Sequence, residues 1–282
     1  MTPTAATPRL RVRNLVTPTP RLRVRTLVTL LVGIMAVSPA VGDTVAEDQA
    51  HFGAYHDGWQ NGEYSGKGFG AWELTAPQQG EGRYAGFFIA EANREPDIGA
   101  VARDGKAFGI YANGIGFEEA LAYRPLAEAL KPGDILSLSL NFDGFVGDAD
   151  ETDTDAMVGV ALVERFTRDG ETRTRRRAVF GLIESLSTYQ IVDGAHRLNT
   201  RIFLDPVGVT VSFILRADAR YDLEVHTLGD DKVYRFEDRR LLVTEEPEDD
   251  GTVTGLSLFN RNAGANNAYF NALQIFRRNA RP

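Results

Sequence analysis

Short alternating segments separated by turn signals are the feature that most constrains how this chain can fold. Residues 135–140 (ILSLSL) alternate apolar and polar side chains, which is typical of a strand with one buried face. The dipeptide Asp169-Gly170 favours a tight β-hairpin. The pattern predicts about eleven strands, at residues 69–74, 84–90, 107–112, 135–142, 157–166, 174–183, 207–215, 221–227, 232–237, 253–259 and 268–276.

One segment competes with a purely β interpretation. Residues 117–130 have a helix-favouring composition, but Pro125 removes a backbone donor from the middle of the segment. Either a short helix follows Pro125 or a strand ends there, and we favour the strand. Because no linker divides the strands, residues 43–282 are predicted to form a single antiparallel β-sandwich of the jelly-roll type.

The first 42 residues differ from the rest. They contain six arginines and no acidic side chain, followed by an apolar run at residues 27–37 and then small residues. This order is typical of a secretory signal peptide, with cleavage after Ala40 or Gly42. The apolar run is shorter than the roughly 20 residues that span a bilayer. We therefore expect a secreted, periplasmic or cell-surface protein that is not inserted in a membrane after cleavage. A retained signal anchor is the alternative.

Charge and composition exclude several function classes. Removing residues 1–42 leaves 25 basic and 39 acidic side chains, a formal charge of −14. Nucleic acids and anionic lipids are therefore not expected partners. The chain has no cysteine, which excludes disulfides, thiolate metal sites and cysteine nucleophiles. Phosphate-binding and dinucleotide motifs are missing, so no organic cofactor is expected. Nothing in the sequence indicates how many copies of the chain associate.

Five segments together resemble a known family. They are 55–62 (YHDGWQNG), 66–72 (GKGFGAW), 107–113 (AFGIYAN), 258–264 (LFNRNAG) and 267–273 (NAYFNAL). Their core and turn residues resemble the concanavalin A-like lectin/glucanase jelly-roll domains of many exported bacterial proteins. The resemblance covers nearly all of residues 43–282. It implies polysaccharide-related work, as a lectin, a glycosidase or a lyase, by analogy of fold.

Three polar residues form the nearest match to a catalytic strand. Glycosidases of this fold commonly carry E-x-D-x-x-E, which this chain lacks. In residues 221–226 (YDLEVH), alternation places Asp222, Glu224 and His226 on one face of a strand. They could act as acid and base if that face lined a cleft. The alternative is a solvated face, on which they form ion pairs with the next strand.

An acidic loop and a basic hairpin suggest ligands of opposite charge. Four aspartates between two strands are candidate calcium ligands, because Ca²⁺ prefers closely spaced oxygen ligands: Asp148, Asp150, Asp153 and Asp155. The alternative is a solvated acidic turn. Alternation also places Arg173, Arg175 and Arg177 on one face, which suits a uronate or sulfate polymer. The alternative is a face that pairs with the acidic loops.

Aromatic and amide side chains near the two ends are candidate glycan ligands. Sugar rings stack on aromatic faces and hydrogen-bond to amides, and the candidates are Tyr55, Trp59, Asn260, Asn262, Asn266 and Asn267. Their segments would share a surface if the first and last strands were neighbours. The alternative is that the aromatic side chains belong to the core and that the asparagines stabilise turns.

These patterns favour a lectin-like module that binds an extracellular polysaccharide or other glycan, with Ca²⁺ at the acidic loop. A glycoside hydrolase or polysaccharide lyase of the same fold is the second hypothesis, for which turnover would be the sign. A structural surface or matrix protein is the third, for which self-assembly without glycan affinity would be the sign.

Overall fold

The structure of the chain is a computed structural model that describes residues 42–77, 84–95, 98–113, 117–145, 156–184, 187–246, 249–264 and 266–277. These residues form fifteen strands. In chain order the strands are β1 (Asp43–Asp48), β2 (Glu73–Thr75), β3 (Ala85–Glu91), β4 (Lys106–Ala112), β5 (Glu119–Pro125), β6 (Asp134–Phe142), β7 (Met157–Arg168), β8 (Glu171–Ile183), β9 (Thr188–Asp193), β10 (Leu198–Phe203), β11 (Val209–Arg216), β12 (Arg220–Thr227), β13 (Lys232–Arg240), β14 (Gly255–Arg261) and β15 (Asn267–Arg277).

The strands form two antiparallel sheets. The eight-stranded sheet has the order β13-β12-β11-β6-β15-β4-β3, and β1 also pairs with β15. The seven-stranded sheet has the order β10-β9-β8-β7-β14-β5-β2. The predicted fold class, an antiparallel β-sandwich, is confirmed. The first and last strands are neighbours, since β1 and β15 pair over most of β1.

Local predictions succeeded where a single residue decides the geometry. Strand β5 ends at Pro125, as expected of a residue without a backbone N–H. The β7–β8 hairpin turns at Asp169-Gly170, whose φ angles of 53° and 79° suit a tight two-residue turn. The predicted strand at 69–74 is wrong in its bounds, because only Glu73–Thr75 pairs as a strand there. Strands β1, β9 and β10 were not predicted.

The inner faces of the two sheets meet in one apolar core. On β12, Tyr221, Leu223 and Val225 point inward and are buried, as the alternation predicts. On the facing sheet, β7 and β8 contribute Val160 and Phe180 to the same core. No helix among the described residues has the length and apolar character needed to cross a membrane.

A buried charged cluster links the sheets near β5. Asp48 of β1 and Arg124 of β5 belong to different sheets, and their side chains are fully buried and 2.7 Å apart. The hydroxyl of Tyr55 donates to the same Asp48 oxygen at 2.6 Å, and the Trp72 indole donates to that hydroxyl at 3.1 Å. The Arg124 guanidinium also lies over the Trp72 ring, 4.7 Å from its centroid. The two charges therefore neutralise each other inside the core.

A second buried cluster of an aspartate, an arginine and a tyrosine lies near β13, at one edge of the eight-stranded sheet. Asp193 of β9 accepts two hydrogen bonds from Arg239 of β13, at 2.7 and 2.8 Å. The hydroxyl of Tyr221 donates to the same carboxylate at 2.6 Å. The carboxylate now comes from the seven-stranded sheet and the arginine from the eight-stranded one. A register shift in β13 near Asp238, whose φ is 57°, precedes the inward-pointing Arg239.

Replacing Arg124 with Met would leave the buried Asp48 carboxylate without its counter-charge. We expect the free energy of unfolding at pH 8 to fall by about 3–5 kcal/mol. Arg235→Met is the matched control, because Arg235 pairs with Glu224 at 2.8 Å on an exposed surface. Its loss should cost less than about 1 kcal/mol. Urea unfolding followed by tryptophan fluorescence measures both variants, and equal losses would contradict a linking role for Arg124.

The same pair predicts a pH dependence. Burial raises the pKa of Asp48 from 3.8 to about 6, although the charge of Arg124 opposes the rise. The folded chain therefore holds this proton more tightly, and the resulting stability is present below about pH 4 and is lost as the pH rises through about 6. Arg124→Met removes the opposing charge, which moves this pKa higher. Its stability deficit should thus shrink as the pH falls from about 8 to 5. A pH-independent deficit would contradict titration of Asp48.

Candidate functional site

The predicted aromatic ligands lie in the core. Tyr55 and Trp59 are 1% and 4% exposed, and Trp59 packs edge-on against Trp72 and Phe87. A ring in this position has no free face on which a sugar could stack. The expectation that Tyr55 and Trp59 form a glycan platform is therefore corrected, because the segment that carries them closes the core beside β1 and β5.

The predicted amide ligands form hydrogen bonds within the protein, mostly with its backbone. Asn260 is fully buried, and its side-chain NH₂ donates to the carbonyl oxygen of Ile110 at 3.0 Å, so the expectation of a glycan contact is corrected for this residue. Asn262 accepts from the Glu118 N–H at 2.9 Å. Asn266 donates to the carbonyl of Gly144, and Asn267 donates to the hydroxyl of Tyr269 at 3.3 Å. The half-buried Asn262, Asn266 and Asn267 thus serve the turns around β14 and β15.

The candidate catalytic residues share one face of β12, as predicted, but each has an internal partner there. Asp222 pairs with Arg216 and accepts the Asp238 N–H at the β13 irregularity. Although burial alone would raise the pKa of Asp222, the hydrogen bond from Arg216 lowers it, so this carboxylate stays ionised. Glu224 pairs with Arg235 on β13, and His226 lies 2.6 Å from Asp231. The arrangement is that of cross-strand ion pairs on a solvated face.

The predicted calcium ligands Asp148, Asp150, Asp153 and Asp155 lie outside the described residues. Within the described ranges, no group of three or more histidine or acidic side chains is placed to hold a metal ion. Calcium at the acidic loop therefore stays a prediction.

The basic hairpin departs from simple alternation because β8 contains an extra residue. Leu162 of β7 is opposite Ala178, but the next residue, Val163, is opposite Arg176, so Arg177 has no register partner. This irregularity shifts all preceding residues of β8 by one position. As a result, Arg175 and Arg177 both lie beside the acidic residues Glu246 and Asp249. Arg176 is instead the residue that points to the outer face of the sheet.

Arg177 is the centre of a closed charge network. Its buried guanidinium pairs with Glu164 and with Asp249, at 2.5 Å from the latter, and donates to the carbonyls of Leu242 and Thr252. Burial would raise the pKa of Asp249, but the hydrogen bonds from Arg177 and Thr244 hold it well below its usual range. A cavity of about 490 Å³ lies beside this network, and every charged side chain that lines it has an ion-pair partner. The expectation that Arg175 and Arg177 contact a polymer is therefore corrected.

The outer face of the seven-stranded sheet carries three arginines that lie over aromatic rings. Arg165 lies 3.8 Å from the Tyr123 ring centroid, Arg176 lies 5.4 Å from that of Phe259, and Arg261 lies 5.4 Å from that of Phe117. We call this surface the arginine face and define it by Phe117, Tyr123, Arg165, Arg176, Phe259 and Arg261. Beneath these side chains lies a second apolar cluster, which includes Ala161, Val163, Val179 and Ile183.

Glycines give the arginine face its flat floor. Gly159 of β7 and Gly181 of β8 are opposite each other, next to Phe259 of β14. A Cβ at Gly159 would lie 2.3 Å from the carbonyl oxygen of Phe180, and one at Gly181 would lie 2.2 Å from that of Val158. The two strands therefore approach more closely than larger residues would permit, and both glycines are buried beside Phe259.

Arg176 differs from the other two arginines of the face. Arg165 pairs with Glu73 and Arg261 pairs with Glu119, each at 2.5 Å. Arg176 is half-buried and has no ion pair with any described acidic residue. Burial lowers the pKa of Arg176, and the like charge of Arg261 lowers it further, yet a guanidinium keeps its charge in proteins. The face thus contains one partly desolvated guanidinium that has no ion pair among the described residues, although the nearby charge of Glu119 offsets part of its own.

Comparisons with known proteins identify no family. No protein-family sequence model matches the chain, and no curated protein matches it. Among solved structures, the chain is similar to an endo-β-1,4-glucuronan lyase from the fungus Trichoderma reesei. The identity is 7%, the alignment covers 72% of this chain and 94% of the lyase, and the TM-score is 0.44.

Lectin-like structures are also similar to this chain. A legume lectin-like domain from Entamoeba histolytica has 12% identity, with 68% of this chain and 90% of that domain covered and a TM-score of 0.41. The exoplasmic/lumenal domain of VIP36, bound to Ca²⁺ and Man3GlcNAc, has 7% identity, with coverages of 75% and 85% and a TM-score of 0.38. At this level of identity no residue role is transferred.

Adjacent arginines on β8 should differ in their importance for stability. Arg177→Gln removes the buried guanidinium that pairs with Glu164 and Asp249 and leaves these carboxylates only Arg175, so we expect a loss of about 3 kcal/mol in the free energy of unfolding. Arg176→Gln breaks no ion pair and should cost at most about 1 kcal/mol. Chemical denaturation of the two variants measures the difference. Equal losses would mean that Arg176 has a structural role that its contacts do not reveal.

Proposed function

We propose that this protein binds an acidic polysaccharide along the arginine face and that Arg176 holds a carboxylate of the polymer. The observation that carries the proposal is the half-buried Arg176 guanidinium, which lies above the Phe259 ring and forms no ion pair with a described acidic residue. A planar guanidinium binds a carboxylate with two parallel hydrogen bonds. An anion there would relieve the cost of the half-buried charge.

The shape of the face favours an extended polymer. Small ligands usually bind in concave cavities, whereas the arginine face lies on the outer side of a sheet and its three arginines are partly exposed. The residues beneath them, Phe259 included, are buried, so the arginines are the groups that a ligand can reach. Nucleic acid, the other common anionic polymer, is disfavoured, because its binding requires several phosphate contacts. A uronate polymer presents a carboxylate on each sugar and suits this face.

The hydrolase and lyase hypotheses have less support from this face. A hydrolase needs two carboxylates roughly 5–9.5 Å apart that flank the sugar bond. The described acidic residues beside the face are Glu73 and Glu119, and each is held by an arginine. A lyase could use a tyrosine as base, but burial raises the pKa of Tyr123, which makes its phenolate harder to form. This arrangement favours binding over turnover.

The test is affinity electrophoresis of the full chain in gels that contain polygalacturonate, dextran sulfate or neutral dextran. We expect retardation by polygalacturonate and none by neutral dextran. Arg176→Gln should weaken the binding of polygalacturonate about 10- to 100-fold, the loss typical of one charge-assisted contact. Arg176→Lys should recover only part of the affinity, because an ammonium lacks the guanidinium fork. Arg173→Gln is the control, since Arg173 is exposed and pairs only with Glu171.

The other outcomes distinguish the competing hypotheses. Equal weakening by Arg173→Gln and Arg176→Gln would indicate general charge attraction and would contradict a site at Arg176. Stronger binding of dextran sulfate would indicate a sulfated ligand. Release of reducing or unsaturated ends that Glu119→Gln abolishes would show an enzyme. Self-assembly without retardation in any gel would favour a structural protein.

Export belongs to the same proposal, because the expected polymer is extracellular. N-terminal sequencing of the exported protein should begin at Val41 or Asp43, after removal of the leader.

A further inference from the structure

The edge strand β3 is apolar and only partly covered. It ends the eight-stranded sheet, and β4 is its only strand partner among the described residues. Residues 85–90 (AGFFIA) contain no charged side chain. Phe87, Phe88 and Ile89 are partly exposed, although the flanking Gly86 and Ala90 are buried. An edge of this kind is a template for pairing with another strand.

The other described edges of the two sheets are protected. Strand β13 (KVYRFEDRR) is rich in charge, and its pairing with β12 is irregular. Strand β10 is interrupted near Arg201, whose φ is 61°, and β2 contains only three residues. Strand β1 is bridged at Glu47 by Lys67. Charge, irregularity and short length prevent edge-to-edge association, whereas β3 pairs regularly with β4 over seven residues.

Backbone hydrogen bonds show which groups of β3 point outward. The Asn113 N–H donates to the carbonyl of Tyr84, and the Ala92 N–H donates to that of Gly105, both at 2.8 Å. In an antiparallel ladder every second residue bonds to a given neighbour, so the even-numbered residues of β3 bond to β4. The odd-numbered residues direct their N–H and C=O groups to the open side of the sheet.

At the centre of β3 these outward residues are Phe87 and Ile89. When Phe87 of one copy is opposite Ile89 of a second copy, Ile89 is opposite Phe87 in turn, and a two-fold axis passes between the two Phe88 residues. Each of these pairs exchanges two hydrogen bonds. This register therefore satisfies the outward backbone groups of both residues in both copies.

The side chains fit the same register. Phe88 packs on the outer face of the sheet, whereas Phe87 and Ile89 pack on the main core. At the axis, Phe88 meets its own copy and lies between the small residues Gly86 and Ala90 of the second copy. On the inner face, Phe87 is opposite Ile89, and pairs of an aromatic and a β-branched residue are favourable in sheets.

Charge favours a second copy at this edge. Residues 43–282 have a formal charge of −14, so two copies repel each other over most of their surfaces. The centre of β3 is uncharged. Its terminal Glu91 lies 3.5 Å from Arg94 of the same copy and would be opposite Ala85 of the other. We propose that two copies of this chain pair through β3 and form one continuous antiparallel sheet.

The geometry of this dimer has a consequence for binding. The two-fold axis is perpendicular to the paired strands and to the sheet, so both copies turn their arginine faces to the same side. One acidic polymer can then contact two Arg176 side chains, which raises the affinity through effective concentration. This consequence rests on the proposed function, whereas the pairing of β3 does not.

Sedimentation equilibrium of the full chain tests the pairing without a polysaccharide. One pair of strands buries less area than a standard interface, so we expect a reversible dimer with a dissociation constant of about 1–100 μM. Phe88→Lys and Phe88→Glu each place two like charges at the axis, and each variant alone should associate about 100-fold more weakly. An equal mixture of the two variants should recover the dimer, because opposite charges then meet.

A single introduced cysteine locates the contact, because the chain has none of its own. In the proposed register the two Phe88 residues form a non-hydrogen-bonded pair with Cα atoms about 4.5 Å apart, a distance that a disulfide spans. Phe88→Cys should therefore form a disulfide-linked dimer on mild oxidation. Val233→Cys is the matched control, because Val233 is exposed on the β13 edge, and it should not cross-link.

Three outcomes would overturn the pairing of β3. A wild type that stays monomeric at its highest soluble concentration would leave this edge to a strand of another protein. A dimer that Phe88→Lys does not weaken, or cross-linking of Val233→Cys as fast as that of Phe88→Cys, would place the contact elsewhere. Phe88→Cys decides the matter if the charged variants fail to fold. A β3 dimer that does not bind polygalacturonate would contradict the proposed function and support the pairing.

Discussion

The sandwich depends on pairs of buried opposite charges that link its two sheets. Asp48 with Arg124 and Asp193 with Arg239 each combine an acid from one sheet with an arginine from the other. In both clusters a tyrosine hydroxyl donates to the carboxylate at 2.6 Å. A buried charge is tolerated only when it is paired and hydrogen-bonded. Such pairs therefore restrict how the sheets can be positioned relative to each other, whereas apolar contacts alone tolerate sliding.

Against this pattern, a partly or fully buried charge without an ion pair is informative. Arg176 is half-buried on the outer face of the seven-stranded sheet, and Glu118 is buried on the inner face of the same sheet. They cannot neutralise each other, because the sheet separates them. The carboxylate of an acidic polymer would compensate Arg176, and the proposal for the arginine face rests on this rule.

Sequence patterns predicted the features that neighbouring residues determine. Alternation predicted the two faces of β12, Pro125 marked the end of β5, and Asp169-Gly170 marked the hairpin turn. The sequence analysis also gave the correct alternative for the basic hairpin, because Arg175 does pair with the acidic residues Glu246 and Asp249. Strands β9 and β10 were missed because they are short and lack a clear alternation in residues 188–203.

Features that depend on tertiary contacts could not be predicted. Trp59 was expected at a surface, but its exposure depends on which segment closes the core, and its sequence neighbours do not reveal that. Arg176 was missed because the irregularity at Arg177 reverses the alternation, and nothing in the run of arginines marks its position. Glu118 gave no signal, since one glutamate before a strand is ordinary. Its significance comes from the lack of donors around it.

A crystal structure of the protein with a short oligouronate would show whether Arg176 is the residue that holds the ligand. We expect a sugar carboxylate within hydrogen-bond distance of both terminal nitrogens of Arg176. An oligouronate bound instead at Arg173, or an Arg176 guanidinium paired with an acidic side chain of the protein itself, would contradict it.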